Sequence, residues 1–209
     1  MKQSQFNSLK TKRSFENPFE TVDPFVNYNT PSVIRLKQQY HTIISDHLRN
    51  ENFEYNVVAD LGCGLPFATL PFAQKQDKTL VCLDGYRTNR KKYLFTQHQL
   101  DNFFKMQSGD VSFHNLDAPF KMPKADVWIS TMAVGKMIDP KLHYRTIKDN
   151  SNEGAKIFFV VYKDNWYDSI SIEKIIADSF ICNDIRLASN NSKELVLAEV
   201  KFIGNHLSV

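Results

Sequence analysis

The stretch Val57-Val58-Ala59-Asp60-Leu61-Gly62-Cys63-Gly64-Leu65-Pro66 constrains this chain more than any other. A β-branched, apolar run ends in an acid and passes into Gly-x-Gly. Glycines at such a turn let backbone approach a ligand where a Cβ would clash. A helix beginning near Pro66 can aim its first N–H groups at the same place. Strand, glycine loop and helix together are a common cradle for a nucleotide-like cofactor. A plain strand-to-helix turn without a ligand is the competing interpretation, because Gly-x-Gly alone is weak evidence.

The neighbouring residues narrow the ligand. A dinucleotide fingerprint wants a third glycine three residues after the second, and Phe67 stands there. Asp60, directly before the loop, would repel a pyrophosphate and suits a cation. S-adenosylmethionine carries an ammonium and a sulfonium and no phosphate. A second apolar run, Leu80-Val81-Cys82-Leu83-Asp84, also ends in an acid. A carboxylate at the tip of a second strand can accept both hydroxyls of an adenosine ribose. Gly109-Asp110-Val111 follows a short strand-like run over 103–107 and is read as a third strand end that meets the adenine edge. Three acids at three successive strand ends predict an adenosylmethionine site lined by Asp60, Gly62, Cys63, Gly64, Asp84, Asp110 and Val111.

The remaining pattern alternates strand and helix. Residues 1–30 are rich in Asn, Ser, Gln and Phe and read as an irregular arm; residues 31–209 read as the cofactor-binding domain. Pro31 suits the first turn of a helix with Thr30 as N-cap, and Ile34, Tyr40, Ile43, Ile44 and Leu48 give that helix an apolar stripe. Strands are predicted over 55–61, 79–83, 126–130, 156–162, 182–188 and 194–202, with helices from Pro66 and over 89–104, 140–149 and 169–180. The run Ile157-Phe158-Phe159-Val160-Val161 is that of a strand buried on both faces. The last two strands form an antiparallel pair. The predicted class is α/β: a Rossmann-like, doubly wound and mostly parallel sheet of about seven strands with helices on both faces.

Composition excludes other classes. The chain's 209 residues suffice for one α/β core, and its 42% hydrophobic content contains no apolar run of the ~18 residues that a membrane helix needs. The polar, basic beginning lacks the apolar centre of a secretory signal. Cys63, Cys82 and Cys182 are scattered, with no spacing for zinc or for a disulfide framework, so a reducing compartment and no structural metal are expected. The net charge of +3 is mild. Its placement matters more: Arg87, Arg90, Lys91 and Lys92 follow the second strand, and Lys121, Lys124, Lys136 and Lys141 flank the fourth. Basic loops near the strand ends are compatible with a polyanionic substrate such as RNA, and equally with ordinary solvated lysines.

Beyond the glycine loop, the sequence resembles the FtsJ/RrmJ-type RNA 2′-O-methyltransferases, and within them the cap 2′-O-methyltransferase of nidoviruses. Three of the four positions of that family's Lys-Asp-Lys-Glu tetrad are matched. Lys37 lies on the helix before the glycine loop. Lys163 ends the fifth strand in Val160-Val161-Tyr162-Lys163-Asp164-Asn165-Trp166. Glu194 opens the last strand in Asn191-Ser192-Lys193-Glu194-Leu195. The family's aspartate belongs at the end of the fourth strand, where this chain has Thr131, followed by Met132 on the predicted cofactor wall. Asp126 cannot replace it, because roughly 16 Å of strand separates the two positions.

The resemblance implies class I methyltransferase architecture, S-adenosylmethionine as cofactor, and methyl transfer to the ribose 2′-O of capped viral RNA. It also implies a host-cytoplasmic replication complex and an activating viral protein partner. In it, Lys163 acts as base or alkoxide stabiliser, Lys37 supplies neighbouring positive charge, and Glu194 orients the lysines. A lysine of depressed pKa can deprotonate a weakly acidic hydroxyl, and burial or a nearby cation depresses it. A guanine-N7 or small-molecule methyltransferase, or a binding subunit without turnover, are the alternatives. Phe19, Tyr28, Trp166 and Tyr167 are candidate cap-binding aromatics that could equally be core residues.

Overall fold

A computed structural model describes residues 31–85, 97–131, 133, 140–162, 180–187 and 195–202. The arm over 1–30, the helix predicted over 169–180 up to Phe180, and Met132, Lys163 and Glu194 lie outside the described residues. So do Arg87, Arg90, Lys91, Lys92, Lys136, Trp166 and Tyr167.

Among the described residues, four helices, α1 (Pro31–Asn50), α2 (Leu70–Gln76), α3 (Gln97–Lys105) and α4 (Pro140–Asp149), accompany seven strands. The strands are β1 (Val57–Leu61), β2 (Thr79–Asp84), β3 (Val111–Asn115), β4 (Ala125–Thr131), β5 (Ser151–Tyr162), β6 (Phe180–Leu187) and β7 (Leu195–Phe202). They form one sheet in the order β3-β2-β1-β4-β5-β7-β6. β3, β2, β1, β4 and β5 run parallel; β7 pairs antiparallel to both β5 and β6. This is the predicted Rossmann-like methyltransferase architecture. Its strand order reverses between β1 and β4, the place where open α/β sheets leave a crevice at their carboxyl ends.

Two apolar clusters sandwich the sheet. One packs α1 and α2 on it through Tyr40, Ile44, Leu48, Phe72, Val58, Val127 and Phe158. The other gathers Ala59, Leu61, Leu83, Trp128, Ile147 and Phe159 on the opposite face. Alternate residues of β1 therefore divide between the faces, so the strand is buried from Val58 to Leu61.

Two elements depart from the sequence reading. Residues 103–107 are not a strand: Leu100 and Phe103 are buried on one face of α3, with Phe104 packed beside them. Their helical spacing, not alternation, sets the structure. The third strand begins at Val111, so Asp110 and Val111 stand at its amino end. β5 also starts earlier than predicted, at Ser151. Its register against β4 shifts between Ala125 and Val127, where Gly154 takes φ +74°.

The amino edge of the sheet has its own fastening. Asp126 accepts the N–H groups of Asn56 (2.8 Å) and Val57 (3.0 Å) and the side-chain amide of Asn152 (2.6 Å). Partial burial raises its pKa, but these donors outweigh that and hold it below the usual carboxylate value. Asp126 thus ties β1, β4 and β5 at the edge away from the predicted site.

Gly109 turns the chain into β3 at φ +90°, where an added Cβ would lie 2.9 Å from the Ala73 carbonyl oxygen of α2. Gly109→Ala should therefore cost about 2–4 kcal/mol, from a clash added to left-handed strain. Gly154→Ala meets nothing within 4 Å and should cost only the conformational term, about 1–2 kcal/mol. Urea denaturation of both variants checks the difference; equal losses would contradict the packing of α2 on the β3 turn.

Candidate functional site

The site is built where β1 and β2 end side by side. Leu61 pairs with Leu83, which puts Gly62 level with Asp84. The loop then folds back onto β2: the Gly62 and Cys63 N–H groups both donate to the Leu83 carbonyl, at 2.7 and 3.1 Å. Gly62 and Gly64 adopt φ values of +72° and +49°, which favour glycine. The Gly64 N–H donates to Asp84 Oδ2, and the Gly85 N–H to Asp84 Oδ1 at 2.7 Å. Each carboxylate oxygen keeps a further lone pair, so Asp84 can still accept two ligand hydroxyls.

Asp60 is fully buried one residue before the end of β1. Its Oδ2 accepts the Thr69 hydroxyl at 2.6 Å, while Oδ1 has no partner among the described residues. A buried, unpaired carboxylate oxygen is costly, and a cationic donor offsets that cost. Burial raises the pKa of both acids to about 6, against the Thr69 bond for Asp60 and the two backbone N–H bonds for Asp84.

Lys37 reaches this loop from α1. It lies on the helix's buried stripe, three residues before Tyr40, and its Nζ donates to the Leu65 carbonyl at 3.1 Å. Burial lowers its pKa, while Asp60, Cys63 and Asp84 pull the other way. Thr131 ends β4, buried and paired with Val160 of β5. Its neighbour Ser130 donates to the Leu61 carbonyl at 2.7 Å, fastening β4 to the start of the loop. Lys37, Asp60, Gly62, Cys63, Gly64 and Asp84 thus come together, with Thr131 beside them at the same end of the sheet. The last register pair of β5 and β7 is Tyr162 with Leu195, the residues adjoining Lys163 and Glu194 in sequence.

Asp110 and Val111 are not brought to the site. Asp110 accepts the Thr79 hydroxyl at 2.6 Å, beside the beginning of β2, and Val111 pairs with Leu80. They stand at the opposite edge from Asp84, which pairs with Asn115. The carboxyl end of β3 offers Asn115, Leu116 and Asp117 instead. The Leu116 N–H donates to the Asp84 carbonyl at 2.9 Å, and the Asp117 N–H to Asn115 Oδ1 at 3.0 Å. The acid at 117, after the run 111–115, was the usable signal. Of the lysines flanking the fourth strand, Lys124 directly precedes β4 and lies at the amino edge.

A second polar cluster lies at the far end of α1. The Lys156 ammonium bridges Glu51 (2.6 Å) and Glu199 (2.8 Å), and His47 Nε2 approaches the same two carboxylates at 3.3 and 3.2 Å. Among the described residues, His47, Glu51 and Glu199 are the group whose donor atoms converge as a metal would need. The Lys156 ammonium already bridges these two carboxylates and offsets one of their two charges. Cys63 and Cys82 are buried thiols, and burial raises both pKa values. Among the described residues no helix is long and apolar enough to cross a membrane.

No protein-family model matches the chain, and no curated protein matches it in sequence. Solved structures share its fold. An S-adenosylmethionine-dependent methyltransferase from Clostridium acetobutylicum ATCC 824 superposes with a TM-score of 0.59 at 13% identity, covering 93% of this chain and 100% of that one. The N-methyltransferase NodS from Bradyrhizobium japonicum WM9 gives 0.58 at 10% identity, over 84% of this chain and 98% of its own. Magnesium protoporphyrin IX methyltransferase from Synechocystis PCC 6803, solved with S-adenosylmethionine bound, gives 0.53 at 12% identity over 93% and 96%. The chain therefore has the class I methyltransferase fold.

The two raised acids make the ligand-free protein sensitive to pH. Asp60 keeps a proton to about pH 6 when folded, against its ordinary 3.8. Its contribution to stability is complete below the unfolded value and is lost as pH rises through 6. Asp60→Asn stays neutral and can still accept from Thr69. Between about pH 5 and about pH 7 the variant should gain about 1–3 kcal/mol on the wild type, read from melting curves. No relative gain would mean that Asp60 is ionised throughout.

Proposed function

We propose that this protein is an S-adenosylmethionine-dependent methyltransferase that methylates the ribose 2′-O of 5′-capped viral RNA. The observation that carries the cofactor is the pairing of a glycine loop with two acids, Asp60 buried and Asp84 half-buried. Asp84 would take the ribose hydroxyls, the loop amides and glycines would admit the methionine portion, and the unpaired Asp60 oxygen suits its ammonium. Leu116 and Asp117 would flank the adenine. The cofactor supplies an electrophilic methyl on sulfur. The methyltransferase fold, shared with a structure that holds S-adenosylmethionine, supports the same reading.

The substrate rests on the resemblance to the 2′-O-methyltransferases and on Lys37, which helix packing brings to the loop. In this reading Lys163 takes the hydroxyl proton or stabilises the forming alkoxide, with Glu194 orienting it. Thr131 leaves the methyl-facing wall without the family's negative charge, so positioning carries more of the rate. RNA is the partner, with a viral activating protein, in a host-cytoplasmic replication complex. A second reading follows from NodS and from the glycopeptide N-methyltransferase MtfA, which share the fold and are named as N-methyltransferases. On it, the acceptor is an amine that attacks through its own lone pair, so a wall without the family's orienting carboxylate at Thr131 costs it little.

Labelled S-adenosylmethionine and capped RNA test the proposal, with the methylated atom located by mass spectrometry. Label is expected on the first ribose 2′-O. Lys163→Ala should reduce kcat at least ~100-fold, and Asp84→Ala should weaken cofactor binding ~100-fold by removing two charge-assisted hydrogen bonds. Label on a base or amine nitrogen would establish the second reading. Tight cofactor binding without transfer to any RNA would make the protein a binding subunit.

A further inference from the structure

We propose that Thr69 is a positioning residue for the amino-acid end of the cofactor: its hydroxyl holds one oxygen of Asp60 and leaves the other for the cofactor's ammonium. This rests on the cofactor reading above and adds to it a residue that acts through Asp60.

Asp60 interrupts an apolar layer. On its face of β1 it follows Val58, and its register partners are Cys82 of β2 and Ile129 of β4. All three belong to the cluster under α1 and α2, and none offers a strong hydrogen-bond donor. Among the described residues, the one hydrogen bond to this carboxylate comes from Thr69, directly before α2, at 2.6 Å. Both residues are fully buried.

Thr69 forgoes another bond to make this one. A threonine before a helix ordinarily turns its oxygen to an N–H of the first turn. Thr69 makes no such cap. Its hydroxyl also lies 3.2 Å from the Pro66 carbonyl, but that oxygen already receives the N–H groups of Thr69 (2.9 Å) and Leu70 (2.8 Å). A hydroxyl has one hydrogen, and the shorter contact to Asp60 takes it. The carboxylate would otherwise turn easily, because the last torsion of an aspartate is broad. With Oδ2 held, its plane is set and Oδ1 remains unpaired.

The start of α2 gives Asp60 more to do. The Leu70 and Phe72 N–H groups are taken by the Pro66 and Thr69 carbonyls, and Pro71 has none. The first turn thus has few amides for the carboxylate of a ligand, and the amino-acid end is recognised chiefly through its ammonium. By donating to Asp60, Thr69 also favours the charged form that this contact needs. Lys37 of α1 acts in the same direction, and Asp84 of β2 against it.

Calorimetry of the full chain at pH 7 tests this with S-adenosylhomocysteine and with its analogue lacking only the α-amino group. The wild type should bind S-adenosylhomocysteine at least about tenfold more tightly than the analogue. Thr69→Val, which keeps the shape and removes the hydroxyl, should weaken S-adenosylhomocysteine about tenfold and the analogue less than about twofold. Thr69→Ser should restore the wild-type preference. A general loosening of the loop would weaken both ligands alike. That result, or a Thr69→Val protein with the full preference, would overturn the inference. A wild type indifferent to the amino group would do the same and leave the cofactor reading standing. Binding of neither ligand by the wild type would instead defeat the cofactor reading, and this inference with it. If Thr69→Val does not fold, Thr69→Cys decides the matter: its thiol is a weaker donor and should lower the preference in the same direction.

Discussion

The site depends on how β2 holds the loop that leaves β1. A single carbonyl, that of Leu83, receives the N–H groups of both Gly62 and Cys63, and the carboxylate of Asp84 receives that of Gly64. From the other side Ser130 holds the carbonyl of Leu61. A loop pinned from both neighbouring strands needs no ligand to take its shape. Pre-organisation of this kind spares a ligand the cost of ordering the loop. It also makes Asp84 serve two purposes, because the carboxylate proposed to meet a ribose is already part of the loop's support.

Much of this was legible in the chain. β1, β2, β4 and the centre of β5 appear as dense apolar runs because parallel strands are covered on both faces. The glycines and acids at the ends of β1 and β2 identified the site for the same reason: strand ends are where an abrupt change from apolar to polar has a structural cause. β3 failed to show because it is an edge strand. Its residues Val111 to Asn115 are all partly exposed, so their composition is mixed. The apolar residues just before it belong to α3, whose inward face competes for the same reading. Asp110 was misplaced by that one confusion, and Asp117 was missed by it.

Lys37 shows a different limit. Its spacing of three residues from both Ile34 and Tyr40 puts it in line with the apolar stripe, but periodicity does not show which loop a charged member of that stripe meets. Burial of Asp60 and the reach of a lysine side chain explain the arrangement together, and neither is local in sequence. The ion network at the other end of α1 was invisible for the same reason, because Glu199 lies far along the chain from His47, Glu51 and Lys156.

That network also couples distant parts of the sheet. α1 runs from the loop, where Lys37 sits, to the sheet's far edge, and about 15 Å of helix separates Lys37 from His47. The buried anchor that receives His47 and Lys156 is Glu199 of β7, with Glu51, directly after α1, as the more exposed second carboxylate. The helix that carries the pocket's lysine is therefore fastened at its other end by a strand from the antiparallel side of the sheet. A disturbance of β7 has a route to the glycine loop along α1.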